Sequence, residues 1–215
     1  MEQIKEISII GAGTYGEVMH ELAEELGYKV IAFYDDACEL HGEKIHGVQV
    51  VGSYKEMDKS KLKNKNFIVA IGNNLIRESL MSEIMGYEGN LPSFIHPSAK
   101  ISKTAFIGVG CYIQANAVIW SYTKIGNYNI ISPNTVVAHH TTTGEACLIS
   151  TLTGVGASIK VGDRVFIGMG STIVTGVRII ANDTIIGAGA VVLKDICEAG
   201  TFAGVPAKRL KSRND

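Results

Sequence analysis

The feature that most constrains this chain is a six-residue period running through its second half. Of seventeen consecutive positions spaced by six from Ile95 to Val191, sixteen are Ile or Val, and Thr143 alone departs. The fifth place of each hexad is usually small or β-branched, as in Ala99, Ala105, Cys111, Ala117, Thr123, Thr135, Thr141, Cys147, Thr153 and Ser171. The second place is often glycine: Gly108, Gly126, Gly144, Gly156, Gly162 and Gly168. A period of six matches neither an amphipathic helix nor simple strand alternation. It matches short strands joined by tight corners, with one aliphatic side chain per segment turned to the axis, a small residue beside the bend, and glycine supplying unusual φ. This is the hexapeptide signature of a parallel β-helix. The 24 glycines and 7% aromatic content agree with thin packing layers and much turning backbone.

The first half reads differently. Ile7 to Ile10 is a buried strand that runs into Gly11-Ala12-Gly13-Thr14-Tyr15-Gly16. Tyr15, Val18, Met19, Leu22, Ala23 and Leu26 then follow helical spacing, and Gly27 stands at the expected C-terminal cap. A strand over Lys29 to Tyr34 leads to Asp35-Asp36, which completes the βαβ unit of a nucleotide-binding module. Glycines in such a turn let the backbone approach a phosphate, and the helix start offers free N–H groups. The same glycines also serve close packing of helix on strand, so both roles stay open. Phe67 to Ile71 is a further apolar run, ending in Gly72-Asn73-Asn74, with Arg77 on the next helical turn. Asn amides and an Arg fork suit a base edge and phosphates; an asparagine there equally serves as an N-cap. Only about half a dinucleotide fold precedes residue 92, which favours a nucleoside diphosphate over NAD.

Lys and Arg total 20 against 21 Asp and Glu, so the chain lacks the positive field that nucleic acid or an anionic membrane requires. No apolar run approaches the roughly 20 residues of a membrane-spanning helix, and the first residues are no signal peptide, which points to a soluble cytoplasmic protein. Cys38, Cys111, Cys147 and Cys197 form no C-x-x-C pair and are expected to be small semi-buried hydrophobes.

The order of motifs resembles a known family. Gly-Ala-Gly, then Phe33-Tyr34-Asp35-Asp36, Ala70-Ile71-Gly72-Asn73-Asn74, Ile95-His96-Pro97-Ser98-Ala99 opening the hexads, and a closing Gly204-Val205-Pro206-Ala207-Lys208 are similar to the bacterial nucleotide-sugar N-acetyltransferases. That family includes the sialic-acid O-acetyltransferase-like and bacillosamine-pathway enzymes, and it lies within the hexapeptide-repeat acyltransferases. The resemblance implies an α/β half-Rossmann-like βαβ domain over 1–92, an all-β left-handed parallel β-helix over 93–196 and a C-terminal segment over 197–215. Three hexads make each coil, so residues 18 apart would stack, and no insertion is expected to break the frame. A homotrimer is implied, with acetyl-CoA in grooves between neighbouring β-helices. The implied acceptor is a UDP- or dTDP-linked 4-amino-4,6-dideoxy sugar, held by Gly13, Thr14, Tyr15, Asp35, Asp36, Asn73, Asn74 and Arg77, in the making of a surface glycan such as an O-antigen.

Of the three histidines in the array, His96 is read as a local cap at the solenoid entrance. The resemblance places the general base at His139: attack of an amine on a thioester builds positive charge on nitrogen, and a neutral imidazole removes that proton. The Ala157 amide, 18 positions on, is expected one coil away, where it would donate to the thioester oxygen; losing such a donor costs about 2.7 to 4 kcal/mol. Three departures accompany this. His140 stands where the family has an acid, leaving Glu145 or a neighbouring subunit to orient the base. Tyr15 and Leu148 each stand where a family histidine is frequent. For the acyl donor, Leu148, Ala157, Met169, Gly187 and Lys208 are the candidates, with Met169 and Gly187 sharing one groove and Arg209 beside Lys208 for phosphates. No metal is called for, since two adjacent histidines give no three-ligand zinc site. A sugar O-acetyltransferase or a noncatalytic nucleotide-sugar scaffold are the competing readings.

Overall fold

In the computed structural model, which describes residues 5–210, the chain divides into two compact units at residues 94 and 95. The first opens with β1 (Lys5–Ile10), α1 (Thr14–Glu25) and β2 (Tyr28–Tyr34). A short hairpin, β3 (Lys44–Ile45) and β4 (Val48–Gln49), precedes β5 (Asn66–Val69) and α2 (Asn74–Gly86). The parallel sheet has the order β2-β1-β5. Ile7, Ile9 and Ile10 of β1, Phe33 of β2 and Ile68 of β5 are buried with Met19, Leu22 and Ala23 of α1. Val18, expected on the buried face of α1, is half exposed. Gly27 adopts φ 79° after the helix, and its N–H bonds to the Glu24 carbonyl at 2.9 Å.

The second unit is a left-handed β-solenoid built from two-residue strands. Its three faces are parallel ladders of six, five and eight strands, the last counting the Thr201–Ala203 strand and its antiparallel partner Lys208–Arg209. The aliphatic column Ile113, Ile131, Ile149, Ile167 is fully buried. Each coil covers the apolar layer of the next, and burying one such side chain contributes about 1.5–3 kcal/mol.

The small residues have a polar task as well. Thr123, Thr135, Thr141 and Thr153 are buried, and each hydroxyl donates to a carbonyl 15 residues ahead: Ala138, Ser150, Gly156 and Gly168. Cys111 and Cys147 occupy the same place and point their thiols at Gly126 and Gly162. Cys38 and Cys197, by contrast, are exposed, against expectation.

The glycines of the second hexad place have a different cause from the one expected. None of Gly108, Gly126, Gly144, Gly156, Gly162 and Gly168 has a positive φ. Coils approach so closely there that a Cβ on Gly126 would stand 2.4 Å from the Gly144 carbonyl oxygen. The left-handed corners are made mostly by other residues, among them Asn116, Tyr122, Tyr128, Asn134 and His140, with φ between 57° and 62°.

The expected unbroken frame is also corrected. Stacked partners are 18 apart early in the solenoid but 19 apart later. The extra residue is absorbed at a corner where Thr175 bridges Val177 and Gly176 takes φ 109°. Beyond it Ile180, Ile186 and Val192 fill the core, while Ile185 turns outward and is half exposed.

Candidate active site

The carboxyl ends of β1, β2 and β5 open onto a cleft of about 880 Å³, lined by Gly11, Gly13, Asp35, Asp36, Lys55 and Gly72 among others. Ligands of open α/β sheets bind at such an edge. The three glycines of the turn divide the work. A Cβ on Gly16 would meet the Gly11 carbonyl oxygen at 2.2 Å, and one on Gly11, itself at φ 102°, would meet the Ala70 oxygen at 2.8 Å. Both serve packing. A Cβ on Gly13, at the start of α1, would meet nothing within 4 Å, and this glycine lines the cleft.

Several expected ligand residues have other partners. Asp35 accepts the Ala12 N–H at 2.7 Å and the Ala37 N–H at 2.9 Å, so its carboxylate ties two loops together. Asn73 caps α2 by accepting the Ile76 N–H at 3.1 Å. Arg77 is completely buried; its guanidinium donates to the carbonyls of Ile71 and Gly72 and to the Asn74 side chain at 2.8–3.2 Å. A phosphate cannot reach it, and the expectation of an Arg fork is corrected: Asn73, Asn74 and Arg77 build the loop that lines the cleft. Tyr15 is half-buried and outside the lining, as is exposed Thr14. Burial raises the Tyr15 phenol well above its usual range, against the influence of nearby Arg77, so it stays protonated.

Asp36 does face the cleft. Hydrogen bonds from Lys55 and Ser53 hold its carboxyl below the usual range, and the Lys55 ammonium lies 2.6 Å away. Lys59, over the Tyr54 ring and bonded to the Tyr54 carbonyl at 2.7 Å, is a second lining cation. Sequence reasoning passed over both lysines; Ser53, which caps the short helix Tyr54–Glu56, was the one local signal that the chain turns back there.

On the solenoid, His139 and His140 sit together at an exposed corner, with Nδ1 of one 3.0 Å from Nδ1 of the other. Trp120 and Tyr122 of the preceding coil lie beside them, at ring separations of 6.2 Å and 4.9 Å. Ala157 stacks one coil beyond, as the Ser158 N–H to the His139 carbonyl bond shows. The Ala157 N–H itself donates to the Thr175 hydroxyl at 3.2 Å, so that amide has an internal partner. Glu145 stands at a different corner and accepts from Asn127 at 2.8 Å, which removes it as the orienting acid within one chain. His96 accepts from the Ser98 N–H at 3.1 Å in a local turn. Among the described residues, no group of three or more His, Cys, Asp and Glu side chains is placed to hold a metal ion.

The frame shift separates Met169 from Gly187. The latter stacks on Gly168, whereas exposed Met169 accepts the Gly189 N–H at 2.8 Å. Leu148 is half-buried in its strand, Lys208 is exposed, and Arg209 turns back to Glu198 and the Ala199 carbonyl.

Comparison with known proteins decides the family. GDP-perosamine N-acetyltransferase of Escherichia coli is 30% identical over 187 residues, covering 84% of this chain and 82% of that protein. The chain belongs to the nucleotide-sugar N-acetyltransferases of the hexapeptide-repeat superfamily. Residues 6–84 of this acetyltransferase match the PglD N-terminal domain. A histidine-to-asparagine variant of perosamine N-acetyltransferase from Caulobacter crescentus, solved with CoA and GDP-perosamine, is 31% identical with a TM-score of 0.88, covering 98% of this chain and 99% of that one. UDP-N-acetylbacillosamine N-acetyltransferase of Bacillus subtilis is 30% identical over 114 residues, 52% of each chain.

Proposed function

We propose that this acetyltransferase moves an acetyl group from acetyl-CoA to the amine of a nucleotide-diphosphate-linked 4-amino-4,6-dideoxy sugar, with His139 as general base. The observation that carries this reading is the exposed His139 imidazole, whose Nδ1 lies 3.0 Å from His140 Nδ1, so that the contact with its neighbour does not involve Nε2. The whole-length relative with one histidine replaced, bound to both CoA and GDP-perosamine, supports a histidine in this role. It also extends the nucleotide choice beyond UDP and dTDP to GDP.

The N-terminal cleft would take the nucleotide. Gly13 offers bare backbone at a helix start, and Lys55 and Lys59 supply positive charge for phosphates. For the acyl donor, exposed Met169 with Gly170 and Gly189 forms an apolar edge with open space beside both glycines, which fits an extended pantetheine arm. Lys208 would meet phosphate. Bound acetyl-CoA supplies an activated thioester. His139 Nε2 accepts the proton that the amine loses as its nitrogen bonds the acetyl carbon, and returns it to the sulfur as the carbon–sulfur bond breaks. The Ala157 N–H would donate to developing oxygen charge, a role that requires the Thr175 hydroxyl now accepting it to turn aside.

A homotrimer, with donor grooves between neighbouring β-helices, accounts for the outward apolar positions Phe106, Val136 and Leu152. The setting would be the cytoplasm, in the making of a surface glycan; among the described residues no helix is long and apolar enough to cross a membrane. The test is mass spectrometry of acceptors after incubation with acetyl-CoA, using GDP-, UDP- and dTDP-linked 4-amino-6-deoxy sugars. One of these is expected to gain a single N-linked acetyl group. Acetylation of hydroxyl acceptors only would replace the reading with O-acetyl transfer, and nucleotide-sugar binding without product would leave a scaffold.

A further inference from the structure

No carboxylate lies within ion-pair reach of the His139 or the His140 imidazole among the described residues. The two rings instead share one hydrogen bond, Nδ1 to Nδ1, at 3.0 Å. A neutral imidazole carries its proton on one nitrogen only, so one of the two Nδ1 atoms must donate and the other accept. The two alternatives differ in consequence. If His140 donates, the His139 proton sits on Nε2, and its only lone pair is already used at Nδ1. If His139 donates, its Nε2 is bare.

We propose that His140 is a positioning residue: its Nδ1 accepts the His139 Nδ1–H and so fixes His139 in the tautomer whose Nε2 accepts a proton. The inference rests on His139 being the base. Its physical ground is the charged state. Once His139 takes the substrate proton it has no lone pair left, and only His140 can be the acceptor in that bond. The bond then becomes charge-assisted, about twice as strong as a neutral one, so it strengthens as the reaction proceeds. An accepting His140 holds its own proton on Nε2.

The backbone holds the acceptor in place. His140 stands at a left-handed corner with φ 59°, its N–H bonded to the Ser121 carbonyl at 3.1 Å, and its ring lies 4.9 Å from Tyr122, the titratable side chain beside it. His139 is anchored through its carbonyl, which accepts the Ser158 N–H at 3.0 Å. Left-handed φ is tolerated by His, Asn and Asp better than by most residues, so His140→Asn and His140→Asp keep the corner and return an acceptor oxygen, whereas His140→Ala removes it.

The experiment is nitrogen–carbon correlation NMR on the protein labelled with ¹⁵N-histidine, which reads the tautomer through ring carbons without needing activity, together with kcat for the three variants. The native chain is expected to show His139 protonated on Nδ1 with Nε2 bare, and His140→Ala to move that proton to Nε2. In kcat, His140→Ala should lose about tenfold, short of the loss on removing a general base, with His140→Asp and His140→Asn recovering most of it. A native His139 protonated on Nε2 overturns the proposal, as does a His140→Ala variant with unchanged spectrum and rate. Retained activity in His139→Ala would remove the base assignment alone, since the spectrum would still decide which ring donates.

Discussion

The Asp35 carboxylate accepts the backbone N–H of Ala12 at 2.7 Å, across 23 residues of sequence, and thereby ties the loop after β2 to the glycine-rich turn after β1. Its other oxygen holds the Ala37 N–H. A hydrogen bond to a charged group contributes about 1.5–3 kcal/mol, so Asp35→Ala is expected to cost about 3 kcal/mol, with nucleotide affinity falling as the turn loosens. Urea denaturation checks this. A variant of native stability whose nucleotide-sugar KM rises would show that Asp35 touches the ligand instead.

Arg77 makes a parallel case. Its buried guanidinium serves three acceptors from one planar fork, a geometry that lysine cannot reproduce. Both Arg77→Met and Arg77→Lys should destabilise the protein by about 3 kcal/mol. The measurement is again denaturant midpoint against KM, and full stability with weakened binding in Arg77→Lys would contradict the structural role.

The glycine turn offers a clean contrast. Gly16→Ala drives a Cβ against backbone at 2.2 Å and should cost about 3 kcal/mol. Gly13→Ala meets open space at an ordinary φ of −82° and should leave the melting curve unchanged. Its methyl group would instead stand where a phosphate approaches, so binding of GDP, UDP or dTDP measured by calorimetry should weaken. Equal stability losses in the two variants would remove the distinction.

His20 sets a pH dependence. Its ring is buried, stacked on His46 at 4.9 Å and near Phe33, with neither nitrogen hydrogen-bonded. Burial holds its proton affinity below the ordinary value of 6.5, with Glu24 and Glu21 opposing and His46 reinforcing. The unfolded chain therefore binds more protons here, and stability rises with pH across this window. The contribution is fully present above about pH 6.5 and is lost as pH falls below it. His20→Phe should flatten the pH dependence of the denaturation midpoint between pH 7 and pH 5; an unaltered slope would assign it to other groups.

Much of the architecture was legible in the residues, because a solenoid repeats one local problem and the sequence repeats one answer. The single-residue insertion was not. Ile179-Ile180, Ile185-Ile186 and Val191-Val192 are aliphatic at both positions, so the hexad pattern reads unbroken while the core shifts to the second of each pair. The local signs were Gly176 beside Thr175, and the small residues Thr184 and Ala190 standing one place later than the earlier hexads predict. In the first unit, the βαβ order was readable because strand, turn and helix are local. Which polar side chains face the cleft was not, since Asp35 and Arg77 are claimed by partners that tertiary folding brings to them. The His139 corner was placed by the repeat, but the hydrogen bond to His140 depends on ring orientations that spacing does not specify.

In the proposed reaction, His139 removes the amine proton during acetyl transfer. The most direct measurement is thiol release from acetyl-CoA by native protein and by His139→Ala, with saturating amino-sugar acceptor and matched circular dichroism spectra. Release is expected to require the acceptor, and kcat to be lower by about 10²- to 10⁴-fold in the variant. A folded His139→Ala that releases thiol at the native rate would contradict it.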